Sequence, residues 1–266
     1  MSGLKVGIAA VGVTAHGIDN WSAAQQLLAS NTAYDERLPL AKLAPSMLPA
    51  NERRRTTKLI KIALQCGQDV LDQWSGDVNE LATVFASSGG DLEIVDRILN
   101  ALCMEGKPVS PTHFHNSVHN APAGYWSIAA KARAASTSIS AYDSSFVAGL
   151  LEASTTVACD GKPVLMVAYD CPPPPTLMPF RPLVAPFATA LLLVPTDSAD
   201  VQAQLTLNIR VDRENKMADE ALENLRTGNP AARALPLLQQ LASQKAGTVV
   251  LPYLSGQAVS AEVVPC

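Results

Sequence analysis

This chain has no CxxC pair, no apolar run near the ~18 residues that a membrane-crossing helix needs, and no excess of basic over acidic residues. Each absence removes a class of protein. Five cysteines, Cys66, Cys103, Cys159, Cys171 and Cys266, lie scattered along 266 residues, and an odd, dispersed set argues against a disulfide scaffold. A reducing cytoplasm is the expected setting. Lys and Arg number 20 against 24 Asp and Glu, a net charge of -4, so no overall positive field draws the chain to nucleic acid or into an anionic membrane. Any basic site is local. There is no GxGxxG fingerprint, no P-loop and no G-x-S-x-G elbow. The apolar start "LKVGIAAVGV" carries a single Lys5 and runs into the turn "TAHG" and a helix-like "WSAAQQLLAS", a pattern of a buried strand rather than a secretory leader.

What is present is 48% hydrophobic, enough for a substantial core. Short β-branched runs alternate with helical patterns, which predicts a layered α/β fold around a mostly buried sheet. The candidate strands are "KVGIAAVGV", "LATVFAS", "TSISAY", "PVLMVAY", "ATALLLVP", "QLTLNIRV" and "GTVVLPYL". The clearest helix is expected from about Arg53 to Trp74, where Leu59, Ile60, Ala63, Leu64, Val70 and Leu71 share a face. Further helices are expected at 91–104, 121–133, 144–159, 215–226 and 231–244. Four consecutive prolines in "CPPPPTLMPFRPL" forbid helix and predict an extended surface connection. Charged residues and Gln become denser near residue 200, a candidate boundary.

Three places carry polar chemistry. The turn "SSGGDLE" follows a strand and opens a helix, so its amides are placed to cradle an anion, although a tight turn alone also explains its glycines. "THFHNSVHN" gathers His113, His115 and His119, which suits zinc in spacing but lacks a thiolate or carboxylate fourth ligand; Asn116, Ser117 and Asn120 read as a polar loop capping the next helix. "ERRRTTK" sets Arg53, Arg54, Arg55 and Lys58 at an expected helix start, where the macrodipole disfavours cations, so either a solvated face or an acidic protein partner accounts for them.

The fourth place is "SISAYDSSFVAGLLEA". Alternation gives way at Asp143 to small residues and then a helix, making Asp143 a good N-cap. The same junction is where nucleophiles are displayed, because helix N-terminal amides stabilise a thiolate or oxyanion. An aspartate gains from the dipole without gaining the reaction. Ser144 or Ser145 with one of the clustered histidines is the formal alternative, an acyltransferase or thioesterase, and it requires that loop within hydrogen-bond reach of the elbow.

The order of these motifs resembles the first half of the β-ketoacyl synthases, condensing enzymes of thiolase-like fold. The likeness runs over roughly residues 3–195, through "RRRTTKLIKIALQCGQDVLDQW" and "ASSGGDLEIVDRIL" to "VSPTHFHNSVHNAPAGYWSIAAKARAASTSISAYDSSFVAGLLEA" and "PVLMVAYD". The stretch from His115 to Asp143 follows the family without a gap, and the family's acyl-accepting cysteine falls where this chain has Asp143. The family's catalytic histidines lie in its second half, and no histidine follows His119 here. Chain-length factors, which resemble a ketosynthase, lack its cysteine and pair with an active one, show the same pattern; the short form is similar to those of bacterial aryl polyene biosynthesis. Better-known chain-length factors carry glutamine at the elbow, so a decarboxylase role discussed for that glutamine does not pass to Asp143.

The resemblance implies a thiolase-like layered αβα fold with the N-terminal half complete over 1–200 and the C-terminal half strongly reduced, 201–266 being a β-α-β remnant. It implies no catalytic residue, no cofactor and no metal. It implies a non-catalytic subunit that pairs with a catalytic ketosynthase, as heterodimer or heterotetramer, in polyene, polyketide or fatty-acid-like chain elongation, with an acyl carrier protein reaching the complex. On this reading the strand "TSISAY" pairs across the dimer axis. Arg53, Arg54, Arg55 and Lys58 are carrier-docking candidates, and Gly89, Phe114, Tyr125 and Trp126 are candidates for shaping the acyl tunnel.

Overall fold

The structure, a computed structural model, describes residues 3–30 and 32–266. Eight strands, β1 (Leu4–Ala15), β2 (Ala82–Ala86), β3 (Ser136–Ile139), β4 (Val164–Asp170), β5 (Phe187–Val194), β6 (Ala203–Arg210), β7 (Gly247–Pro252) and β8 (Ala258–Pro265), form one sheet. Its order is β3-β2-β4-β5-β1-β6-β8-β7. β2 runs parallel to both β3 and β4, and every other neighbouring pair is antiparallel. Every residue of β2, β4 and β5 is buried, as expected of strands covered on both faces.

The nine helices of the described residues are α1 (Trp21–Ala29), α2 (Ala50–Arg55), α3 (Lys58–Leu71), α4 (Leu92–Leu102), α5 (Pro111–Ser117), α6 (Ala121–Ala130), α7 (Ser145–Asp160), α8 (Glu220–Gly228) and α9 (Leu235–Ala242). Two cores result, one on each side of the sheet. On one side α1, α7, α8 and α9 bury Phe146, Leu150, Leu222 and Leu237 against Val11, Val84 and Leu191. On the other, α3 and α6 bury Ile60, Leu64 and Trp126 against Phe85, Leu165 and Leu192. The result is α/β with helical layers enclosing the sheet. Segment 201–266 supplies β6, α8, α9, β7 and β8, and its strands continue the same sheet beyond β1.

Two local expectations are corrected, and one strand went unexpected. The helix expected from Arg53 to Trp74 is two helices broken at Thr56 and Thr57. Thr56 Oγ1 donates to the Arg53 carbonyl, closing α2, and Thr57 Oγ1 accepts from the Ile60 amide, opening α3. Arg53, Arg54 and Arg55 therefore occupy the last turn of α2, where the macrodipole favours them, and only Lys58 keeps the unfavourable position. The polar loop expected around Asn116 and Ser117 is α5, started by Pro111 in its first turn and by Ser110. The strand β8 carries no sequence expectation of its own, yet it pairs with both β6 and β7.

β3 is an edge strand, bonded on one side only. The Thr83 amide donates to the Ala135 carbonyl and the Ser87 amide to the Ile139 carbonyl, so odd-numbered residues face β2. Ser136 and Ser138 consequently present their backbone groups to the open side.

Candidate functional site

The parallel strands β2, β3 and β4 end together, and in open α/β sheets it is beyond such carboxyl ends that ligands are held. β2 leads into Ser87, Ser88, Gly89 and Gly90; β3 into Ser140 and the elbow; β4 ends on Asp170 and leads into Cys171. Asp170 binds these ends together. Its Oδ1 accepts from Ser87 Oγ (3.0 Å), the Ser88 amide (2.9 Å) and Ser88 Oγ (2.8 Å), whereas its buried Oδ2 has no partner. Ser140 Oγ donates to the Ser88 carbonyl at 3.1 Å, and His119 Nε2–H donates to the Ser87 carbonyl at 3.1 Å. Gly90, at φ 62, makes the turn, and its amide donates to Ser87 Oγ.

With 2% of its surface exposed, Asp170 pays desolvation more than its donors return: burial, opposed by the Ser88 and Ser87 bonds and the Arg181 charge, pushes its pKa up to about 6. The folded value lies above the unfolded 3.8, so the charged form is the penalised one. Stability is then full below about pH 4 and falls as pH rises through about 6, by roughly 3 kcal/mol in all. Asp170→Asn removes the titrating group. Urea unfolding at pH 4, 5, 6 and 7 is expected to show the wild type losing stability against this variant across that window; parallel curves would show that Asp170 is already charged without cost.

The elbow differs from the capping role expected of Asp143. Residues Tyr142–Ser144 form a 3-10 turn, α7 starts at Ser145, and the residue flanking its start is Ser144, with no side-chain cap. Asp143 instead holds two arginines: Arg181 Nη1 from the proline-rich connection at 2.7 Å, and Arg233 Nη2 from the turn before α9 at 3.2 Å. Arg181 also lies 3.8 Å over the ring of Tyr142, which has a left-handed φ of 51. Sequence reasoning missed Asp170, Arg181 and Arg233. An acid closing the wholly apolar run "VLMVAY" was a readable sign of Asp170; no local pattern marks the two arginines.

The alternative nucleophiles are otherwise engaged. Ser144 Oγ donates to the Tyr253 carbonyl, and Ser145 Oγ donates to the Tyr142 carbonyl at 2.6 Å while accepting from the Ala141 amide. The histidines have separate surroundings: His119 bonds Ser87, His115 packs edge-on to Tyr125 at 5.8 Å, and His113 lines a cavity with Arg54 and Arg97. Among the described residues no three His, Cys, Asp or Glu side chains gather as a metal site, and no helix is long and apolar enough to cross a membrane.

The remaining candidates are dispersed. Trp126 and Tyr125 are buried, Trp126 beside Phe85 at 6.1 Å between centroids, and the Tyr125 hydroxyl donates to Asn116 Oδ1. Phe114 is 66% exposed on α5. A Cβ on Gly89 meets only Leu92 atoms from 3.6 Å outward, so Gly89, unlike Gly90, is not required by space or by a positive φ. Arg53 turns inward to donate to the Leu48 carbonyl, and Arg54, Arg55 and Lys58 remain exposed.

The family described as "Beta-ketoacyl synthase, N-terminal domain" matches residues 19–252. No curated protein matches. Among solved structures, a ketosynthase (ApeO) in complex with its chain length factor (ApeC) from Xenorhabdus doucetiae is similar at 26% identity, with 97% of this chain and 99% of that chain covered and a TM-score of 0.76. A type II polyketide acyl carrier protein in complex with its ketosynthase bound to the hexaketide (AntDE:AntF) gives 12% identity, 100% of both chains and 0.76. A β-ketoacyl synthase from Burkholderia phymatum STM815 gives 11%, 100% of both and 0.70. The last two likenesses show the fold alone, which is thiolase-like.

Proposed function

The chain belongs to the β-ketoacyl synthase family through its N-terminal domain, and from that premise we propose that it is a chain-length-factor-like subunit that does no condensation itself and pairs with an active ketosynthase. The observation that carries this is Asp143. In the resemblance read from the sequence the acyl-accepting cysteine falls at this position, and here a carboxylate sits there, neutralised by Arg181 and Arg233. A carboxylate held in two ion pairs is a weak nucleophile toward a thioester. The likeness to the ApeO–ApeC complex supports pairing with a ketosynthase in a polyene or polyketide pathway.

In this reading the subunit's surface completes the partner's acyl tunnel. Gly89, Phe114, Tyr125 and Trp126 stay its candidate walls, Phe114 as a side chain offered outward and the other two aromatics as the support behind it. Arg54, Arg55 and Lys58 recruit the acidic carrier protein by long-range attraction, with Arg53 steadying the end of α2.

Replacement of Asp143 tests the non-catalytic assignment. Asp143→Ala and Asp143→Asn each remove both ion pairs, and since the carboxylate is 39% exposed the cost is modest, about 1 kcal/mol. Both complexes are expected to keep product formation. An N-cap role predicts instead that Asn is neutral for stability and Ala is not; loss of turnover in an assembled Asp143→Asn complex would make Asp143 a participant in the chemistry.

A further inference from the structure

The sheet has a second edge, β7, bonded to β8 on one side only. Val250 turns both its backbone groups away from β8: its amide donates to Asn215 Oδ1 at 2.7 Å, and its carbonyl accepts from the Asn215 amide at 2.9 Å. Backbone groups alternate sides along a strand, so Thr248 and Pro252 face outward as well. Pro252 has no N–H to offer, as suits an edge. Asn215 thus stands in for one residue of a neighbouring strand. Among the described residues only Thr248 keeps a complete outward N–H and C=O pair without a partner.

Asn215 belongs to the connection 211–219 between β6 and α8, which is fastened on both sides of it. Glu214 Oε2 accepts from Arg226 Nη1 at 2.9 Å, and Arg226, buried on α8, gives Nε and Nη2 to the Glu223 carboxylate at 2.7 Å each. Met217 is buried in the core, and its amide donates to Glu223 Oε2 at 2.9 Å. A buried guanidinium is costly unless it is fully paired, so Arg226 specifies where this connection lies. Asp212, Arg213 and Lys216, all exposed, set charges of both signs along the edge, as edges that must stay unpaired do.

Without this cover β7 matches a second copy of itself. About a two-fold axis at Val250, the two Val250 residues exchange both bonds, and each Thr248 N–H meets the Pro252 carbonyl of the other copy. We propose that residues 214–217 are a strap that closes the β7 edge against a second copy of this chain, leaving β3 as the edge at which the sheet can be extended. The strap is independent of what pairs at β3; in a complex formed there, it limits the subunit to one neighbour along the sheet.

The test is made on the full-length chain. Asn215→Pro removes both bonds to Val250, Asn215→Gly removes the side-chain acceptor alone, and Asn215→Asp keeps both. In dilute solution, where copies stay apart, hydrogen exchange of the Val250 amide is expected to be at least ~10-fold faster in the Pro and Gly variants than in wild type and Asn215→Asp. Sedimentation at up to about 1 mM protein is expected to show the same two variants self-associating at least ~10-fold more strongly. Adding Thr248→Pro withdraws the remaining outward donor without touching a bond to β8, and returns association to the wild-type level. Val250 exchange that is no faster, faster exchange with no gain in association, or a gain that survives Thr248→Pro overturns the strap. Asn215→Gly gives the same reading if Asn215→Pro disturbs the fold. Association through β3 is equal in all the variants, so failure of the ketosynthase reading leaves this result unaffected.

Discussion

Ser138→Pro is expected to abolish stable pairing with the ketosynthase while leaving the subunit folded. Ser138 is an even-numbered residue of the edge strand β3, and its amide and carbonyl point away from β2. Proline removes that outward donor and sets its ring where a partner strand approaches, but it breaks no bond of the sheet inside the subunit. Exposed apolar side chains, Ile128 on α6, which packs against β3, and Phe114 and Val118 on and just after α5, which packs against α6, mark the neighbouring surface as one to be covered. Losing backbone pairing at the centre of such an interface costs about 3 kcal/mol or more, a ~100-fold weakening. Denaturant unfolding of the isolated variant should stay within about 1 kcal/mol of wild type. A folded Ser138→Pro subunit that pairs with unchanged affinity would place the interface elsewhere.

The second large effect is on stability. Trp126 is 1% exposed against α3 and the sheet, and a Cβ added at Gly67 of α3 would come to 2.7 Å from its ring. That fit leaves the neighbours little room to collapse into a vacated space. Trp126→Ala is expected to cost about 3–5 kcal/mol, a large share of a domain's total. A measured loss below about 1 kcal/mol would contradict the packing described. This also decides how a tunnel wall is probed. If Trp126 backs the proposed tunnel, Trp126→Ala is expected to change product length only in whatever fraction stays folded, whereas Gly89 tolerates a Cβ in ordinary contact with Leu92. Gly89→Ala should therefore be silent, and Gly89→Leu should shorten the products of an assembled complex; an unchanged length distribution makes this subunit a scaffold.

Sheet and helices were readable because their signals are local. Runs such as "PVLMVAY" and "ATALLLVP" are buried on both faces wherever they pair, and α3 shows its apolar stripe in sequence alone. β8 was hidden because "AVSAEVVP" mixes small residues with valine and is broken by Glu262, so its strand identity comes from its neighbours β6 and β7. The break at Thr56 and Thr57 went unread for another reason: the apolar period passes through it, and only two hydroxyls bonding to the backbone divert the chain.

The site was half legible. The position of Asp143 after β3 follows from the strand-to-helix junction, but its partners stand 38 and 90 residues further on, and the pairing exists only in the fold. The same holds for the cavity that His113 lines. Arg54 and Lys58 are a visible run, whereas Arg97 and His113 look unrelated until α4 and α5 bring them to it.

The most direct measurement is the mass of the native species formed when this 28.0 kDa chain is co-expressed with a ketosynthase that keeps its cysteine and histidines. Equal numbers of the two chains in one particle, as a pair or as a doubled pair, is the predicted result. Two separate species, each at the mass it shows when expressed alone, would contradict the account.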